Sequence, residues 1–366
     1  MSLSVLDIIS FLENKYPIEL AEDFDNVGLL LGTRHAAINK ILFTLDITDE
    51  VIDEAIQNNC NLIISHHPMI FKSIKRIMSE SILGSMISKC IKNDINIYAL
   101  HTNFDNANDG LNDFIASKIN LNDISLLSPS KETKLYKLVV YVPQTHAEVV
   151  REALLEAGAG HIGNYSHCSF NTVGTGTFMP LKDSNPYIGQ INKIEYVDEL
   201  KIETIVPGKK LSYVISNMLK VHPYEEVAYD VYPLWNKLQY GTGRVGFLDK
   251  EKSLVELSLE LKEIFKLDSV AICGKEDTIV GKVAVVGGSG SSFISDAIKM
   301  ECDCLITGDI KHHDALDAIS AGLCLIDIGH YGSEFAAMNY LKDLIEERFG
   351  IETVLTNINT NPFKRV

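Results

Sequence analysis

Residues 62–68 read Leu-Ile-Ile-Ser-His66-His67-Pro68. The short unbroken apolar run has the character of a strand covered on both faces. Pro68 cannot donate to a sheet ladder, so the chain leaves the sheet just after the two histidines. The same arrangement recurs twice. Residues 97–105 read Ile-Tyr-Ala-Leu-His101-Thr-Asn-Phe-Asp105, and residues 325–334 read Leu-Ile-Asp-Ile-Gly-His330-Tyr-Gly-Ser-Glu334. Each ends an apolar strand on imidazole and carboxylate groups. Ligands of open α/β sheets gather beyond the carboxyl ends of the strands, so the three segments are expected to converge.

Around these segments, strands at Ile41–Leu45, Asn61–Ser65 and Ile95–Leu100 alternate with helices at Asp49–Asn58, Ser79–Asn93 and Leu111–Ile119. This is the rhythm of an α/β fold. Thr48 is placed to cap the helix that starts at Asp49, and residues 1–20 read as an amphipathic helix. Residues 121–134 are rich in Asn, Asp, Ser, Pro and Lys and read as a linker.

A different pattern follows, with a strand at Leu135–Val142, a helix at Ala147–Ala157 and a Gly-rich turn over 158–164. Strands at Cys168–Phe170, Gly176–Phe178 and Lys201–Val206, a helix at Leu211–Val221 and a strand at Val227–Leu234 complete it. That order is expected of a ferredoxin-like α+β domain. After residues 241–246 the first rhythm resumes, with helices at Ser253–Phe265, Phe293–Glu301 and Glu334–Phe349 and strands at Lys282–Val286 and Cys304–Thr307. The expected organisation is one α/β domain, residues 1–127 and 239–366, interrupted by an inserted domain over 128–238.

Composition narrows the function. The 366 residues carry 33 Lys and Arg against 49 Asp and Glu, a net charge of −16. Such an acid excess argues against a general nucleic-acid binder and against docking to anionic membranes. Apolar runs fall far short of the ~20 residues of a membrane helix. The N-terminal residues lack the features of a signal peptide. The seven cysteines are scattered and odd in number, which fits reduced thiols in the cytoplasm. Cys302 and Cys304 lack a second pair and read as small core residues rather than zinc ligands.

His330 and Glu334, four residues apart, share one face of a helix, and Asp105 is expected on a loop. Together His66, His67, Asp105, His330 and Glu334 supply three imidazoles and two carboxylates. A single structural zinc closes with four ligands. Five ligands including a carboxylate able to bridge suit two divalent ions per chain, ~3.5–4 Å apart, which activate water and clamp phosphate oxygens. Imidazole with carboxylate suits zinc, manganese, iron or cobalt alike, and zinc is the ion expected. His101 reads as a ligand, as a group that orients a ligand, or as structural.

Three further stretches hold candidate polar groups. Thr307-Gly-Asp309-Ile-Lys-His312-His313-Asp314 either lines the pocket or is a helix cap followed by surface histidines. Val283 to Ser292 is a strand with a Gly-rich turn, which either cradles an anion or is simply tight; it lacks the ending of a P-loop. Asp23-Phe-Asp25-Asn26 offers carboxylates before a short apolar strand.

These residues carry a resemblance. Ser65-His-His-Pro68, His101-Thr-Asn-Phe-Asp105, His330-Tyr-Gly-Ser-Glu334, Phe24-Asp-Asn-Val-Gly28 and Thr307-Gly-Asp309 resemble the Nif-three-like family, also labelled type 2 GTP cyclohydrolase I homologues. The resemblance implies a di-metal site with His66, His67, Asp105, His330 and Glu334 as ligands and Glu334 shared between the ions. It also implies a ring-shaped homohexamer whose sites face an inner cavity. The middle region resembles the PII-like and CutA-like insert of longer members through Gly158-Ala-Gly-His-Ile-Gly-Asn-Tyr165, Gly174-Thr-Gly-Thr-Phe178 and His222-Pro-Tyr-Glu-Glu226. For the last of these, a helix-to-strand turn and a ligand contact are both open.

The functional expectation is a metal-dependent hydrolase of a nucleotide or phosphoester, with a small anionic substrate. Glu334, His101 and His312 are its candidate catalytic residues, the histidines able to move protons near neutral pH. The rival expectation is a ligand-sensing or regulatory metal-binding hexamer without turnover. A nucleic-acid strand inside the cavity stays open, because bound cations would invert the local field.

Overall fold

The computed structural model describes residues 3–163 and 165–364. In chain order the elements are α1 (Val5–Lys15), β1 (Gly28–Leu31), β2 (Ile41–Thr44), α2 (Asp49–Gln57), β3 (Leu62–Ser65), α3 (Ile82–Lys92), β4 (Asn96–Ala99), α4 (Thr102–Asn106) and α5 (Leu111–Lys118). Then come β5 (Asn122–Pro143), α6 (Ala147–Glu156), β6 (Ser169–Phe178), β7 (Glu195–Pro207), α7 (Leu211–Val221) and β8 (Tyr229–Ser253). The chain finishes with α8 (Leu254–Ile264), β9 (Ala271–Cys273), β10 (Ile279–Ser289), α9 (Ile294–Lys299), β11 (Cys304–Gly308), α10 (His312–Ser320), β12 (Cys324–Asp327), α11 (His330–Phe349) and β13 (Thr353–Leu355). Two compact units result, one made of the residues up to Lys131 together with those from Tyr240 on, the other of Glu132–Gln239.

The first unit contains the strand order β1-β4-β3-β2-β13, in which β13, β2, β3 and β4 are parallel and β1 is antiparallel. Every residue of β2, β3 and β4 is buried, as their solid apolar runs require. A second run, β8-β10-β11-β12-β9, is parallel from β10 to β12. Helices begin where their caps dictate. Ser4 and Asp7 form a reciprocal capping box on α1, and the Thr48 hydroxyl accepts the Val51 amide at the start of α2. One core joins Phe43, Leu62 and Ile64 of the first sheet to Val283, Val285 and Ile306 of the second, with Met338, Leu341 and Ile345 of α11. Each such side chain contributes ~1.5–3 kcal/mol by leaving water, so the two sheets are fixed with respect to each other.

In the second unit the order is β6-β7-β5-β8. Alternate residues Leu138, Val140, Val142, Ile202 and Val206 face Val150 and Leu154 of α6 and Val214 and Met218 of α7.

Several expectations change. The linker expected over 121–134 is a strand from Asn122, the first part of β5. Its polar residues are those of a largely exposed strand, and pairing with neighbours overrides their turn chemistry. The separate short strands at 168–170 and 176–178 are one strand, β6, paired along its length with β7. Asp105 lies in α4, not on a loop. Helix α11 starts at His330, four residues before the expected Glu334. The Gly-rich turn is described to Gly163; Asn164 lies outside the described residues, as do residues 1 and 2 of the expected N-terminal helix. All seven cysteines are free, and Cys302 and Cys304 are buried. No helix among the described residues is long and apolar enough to cross a membrane.

A candidate metal centre

Strands β3 and β4 are parallel neighbours in register from Leu62↔Asn96 to Ser65↔Ala99. Their carboxyl ends are therefore level, and the histidines that follow them stand side by side. The His101 ring centroid is 5.1 Å from that of His66 and 5.4 Å from that of His67. The third segment comes from the other sheet. After β12 the chain turns at Gly329, whose φ of 76° suits a residue without a Cβ. Asp327 holds the turn by accepting the Gly329 amide at 2.8 Å and the Ile310 amide at 3.1 Å. Helix α11 then starts at His330 and presents Glu334 one turn later on the same face.

The Glu334 carboxylate is 4 % exposed and sits among the imidazoles. Its Oε1 is 3.6 Å from His66 Nε2, which is 3.7 Å from Asp105 Oδ1. Its Oε2 is 3.2 Å from His67 Nε2 and 3.1 Å from His330 Nε2. His66 Nε2, Asp105 Oδ1 and Glu334 Oε2 are buried and make no aligned hydrogen bond. Donor atoms that crowd together without bonding one another are arranged for a cation, since buried polar groups otherwise find partners. Two groups have ligand atoms close enough to hold one: His66 with His67 and His101, and His67 with His330 and Glu334.

The sequence profile of Duf34/NIF3 (NGG1p interacting factor 3) matches residues 3–362. The chain belongs to the Duf34/NIF3 family. Relatives named "GTP cyclohydrolase 1 type 2 homolog" are 42% identical over 361 residues in Halalkalibacterium halodurans, covering 97% of each chain, and 41% identical over 367 residues in Bacillus subtilis, covering 99% of this chain and 98% of that one. The solved structure of a Bacillus cereus protein related to NIF3 is similar over 100% of both chains, with a TM-score of 0.87 at 41% identity. The fold of this NIF3-family chain is thus that of solved relatives.

In the NIF3-family chain every imidazole of the cluster is oriented from behind. His66 Nδ1 donates to the Leu100 carbonyl at 2.7 Å, His67 Nδ1 to Asp46 at 2.7 Å, His101 Nδ1 to Asp25 at 2.8 Å and His330 Nδ1 to Asp309 at 2.7 Å. With Nδ1–H engaged, the neutral ring keeps the Nε2 lone pair for a cation. The carboxylates are anchored in turn. Thr360 Oγ1 donates to Asp46 at 2.7 Å, and the Thr102 amide donates to Asp25 at 3.1 Å. Asp309 is held at a φ of 54°, a strained conformation for a residue with a side chain, to reach His330.

The charges follow this geometry. Burial works against the ionised Glu334, but the surrounding histidines, His66 foremost, hold its carboxyl well below the usual range. Burial also opposes charge on His67, yet its hydrogen bond to Asp46 and the close Glu334 carboxylate prevail and raise it to about 10. His330 is raised to about 9, first by the Glu334 carboxylate one turn away. Asp105 is raised by burial. The metal-free cluster therefore attracts positive charge.

Thus His66, His67, Asp105, His330 and Glu334 are brought together, with His101 beside them. His312 and His313 are not joined to them. They lie exposed at the start of α10 with rings 5.4 Å apart, and no hydrogen bond or ion pair among the described residues ties either to the cluster. Asp309 orients His330 and does not cap α10, whose N-cap is Lys311. The Gly287 and Gly288 amides donate to Asn112 and to Ser333, both at 2.9 Å, so they are not available to cradle an anion. In the second unit His222 is buried, its Nε2 donating to the Tyr141 carbonyl at 3.0 Å and its Nδ1 accepting the Tyr224 amide at 3.1 Å. The turn reading holds for it.

Sequence reasoning missed Asp46 and Thr360, and it read Gly288 only as part of a Gly-rich turn. Gly288 has a φ of 65°, and a Cβ there would lie 2.2 Å from Glu334 Oε1. A glycine after an apolar strand was the signal available for it.

Proposed function

We propose that this chain is a metal-dependent hydrolase of a nucleotide or other phosphoester, built on a dinuclear centre shared by Glu334. The observation that carries the reading is the division of the Glu334 carboxylate. One oxygen approaches His66 Nε2 and the other approaches the Nε2 atoms of His67 and His330. In this reading His66, Asp105 and Glu334 would hold one ion, and His67, His330 and Glu334 would hold the second. The donor set of imidazole and carboxylate suits zinc, manganese, iron or cobalt, of which we take zinc. Such ions supply Lewis acidity and lower the pKa of water at neutral pH.

The chain's own residues orient and move protons. Asp46, Asp309 and the Leu100 carbonyl keep the three ligand imidazoles in the tautomer that presents Nε2. His101 has a ligand atom close to those of His66 and His67, but we leave it out of the two ligand sets because it stands beside both and is steadied by Asp25, which fits it to transfer a proton at the reacting centre. Asp25 is held to about 2 because the bonds from His101 and Thr102 outweigh its burial, so it remains an acceptor throughout the working range. We assign the proton-transfer role to His101 rather than to His312, which has no tie to the cluster.

The relatives' name, GTP cyclohydrolase 1 type 2 homolog, supports a nucleotide as the substrate class. The same proposal reads the second unit as an inserted ferredoxin-like domain of PII or CutA type, with α6 and α7 on one face of its strands. It also takes the chain to be cytoplasmic, on its odd and scattered cysteines, and a ring-shaped homohexamer, on the family resemblance. The test is elemental analysis of purified wild-type and Glu334→Ala protein, followed by turnover on a panel of nucleotides and phosphoesters. Bound divalent metal and turnover that disappear together in the variant support the reading. Equal metal content in both proteins ends it.

A further inference from the structure

A line of aromatic rings leads from the histidine cluster to the surface. The Phe71 centroid is 6.4 Å from that of His101, and the Phe24 centroid is 6.4 Å from that of Phe71. Both phenylalanines face water, Phe24 at 68% and Phe71 at 43% exposure. They are nevertheless held. Phe24 precedes Asp25, whose carboxylate is locked by His101 and Thr102. Phe71 follows Ile70, whose carbonyl accepts Asn26 Nδ2 at 2.5 Å. The bonds that order His101 thus also hold the backbone beside Phe24, and the neighbouring Asn26 holds the backbone beside Phe71. Two held aromatic rings that face water in line with His101 are placed to take a flat ring on their faces. The segment that carries Phe71 also exposes Lys72, Lys75 and Arg76, three cations in a chain of net charge −16.

We propose that Phe24 and Phe71 form a stacking shelf for the planar nitrogen heterocycle of a substrate whose anionic group lies toward the histidine cluster. The inference rests on the hydrolase reading for the kind of substrate, and it decides within that reading for a nucleotide-like molecule over a simple phosphoester. Every base has a π-face, so stacking selects a flat ring without choosing among purines. Phe71, edge-on to His101, then places the bound heterocycle next to the proton-transfer residue.

The test reads binding rather than turnover. Metal-loaded wild-type protein, Phe24→Ala/Phe71→Ala and Phe71→Trp are titrated calorimetrically with AMP, GMP and ribose 5-phosphate, and the metal content and mass of each are measured. In wild type, AMP and GMP bind alike and about tenfold or more tighter than ribose 5-phosphate, the size of one stacked base. The double variant loses that advantage with its metal content and ribose 5-phosphate affinity unchanged, and Phe71→Trp keeps it. The proposal is overturned if the bases confer no advantage in wild type or if the double variant retains it. It is equally overturned if the double variant changes only the oligomer mass, which would make the rings a contact between copies. Failure of the hydrolase reading shows separately, as unaltered metal content in Glu334→Ala.

Discussion

His67 Nε2 stands 3.3 Å from His330 Nε2, although 263 residues separate the two in the chain and they follow strands of different sheets. Each ring donates its other nitrogen to an aspartate, His67 to Asp46 and His330 to Asp309. Two lone pairs aimed at each other repel unless a cation lies between or beside them. The rise of both imidazoles, to about 10 and about 9, expresses the same demand with protons. Divalent metal competes with those protons, so uptake strengthens as pH rises and weakens as it falls.

The aspartates behind the rings are expected to matter nearly as much as the ligands. Asp46→Asn keeps the shape but allows the amide to flip and the ring of His67 to lose its tautomer. Metal affinity in this variant is expected to fall ~10–100-fold, the usual loss for such partners. Competition titration against a chelator measures it. Thr360→Val, which removes only the outer hydroxyl, is expected to lie between the variant and wild type.

Gly288→Ala is expected to damage the centre without touching a ligand. The left-handed backbone costs ~1–3 kcal/mol for a residue with a side chain. The added methyl would also lie 2.2 Å from Glu334 Oε1, so the carboxylate must shift. Denaturant unfolding should show the loss of stability, and elemental analysis a loss of metal. A fully metallated Gly288→Ala would show that Glu334 tolerates displacement.

Asp25 makes a testable contribution to acid stability. Its folded-state pKa, about 2, lies below its ordinary 3.8 despite burial, because His101 and Thr102 bond its ionised form. The stabilisation is present above the unfolded value and is lost as pH falls toward the folded one. The full contribution is roughly 2 kcal/mol, of which about 1 kcal/mol is gone by about pH 3. The stability gap between metal-free wild type and Asp25→Asn should narrow by that amount between about pH 5 and pH 3. A gap that does not change with pH contradicts the assignment.

Much of the centre was legible from local pattern. His66, His67 and His101 close solid apolar runs, and that context alone places them at strand ends. His330 and Glu334 carry their geometry in a four-residue spacing. The same pattern misled at His312, where an apolar strand also precedes histidines but α10 carries them into solvent. Asp46 follows an apolar run like many other polar residues, and its bond to His67 depends on the level ends of β2 and β3. That the ligands come from two sheets was not legible either, since strand runs do not state which strands pair. The stretch from Asn122 reads as loop by composition, and only the strands beside it make it part of β5.

The most direct test of the account is the metal stoichiometry of the purified chain. The account predicts about two divalent ions per chain in wild type and loss of both in Glu334→Ala, with the fold intact by circular dichroism. One ion retained in that variant, or wild type that binds no divalent ion after loading, would contradict a centre built on the shared carboxylate.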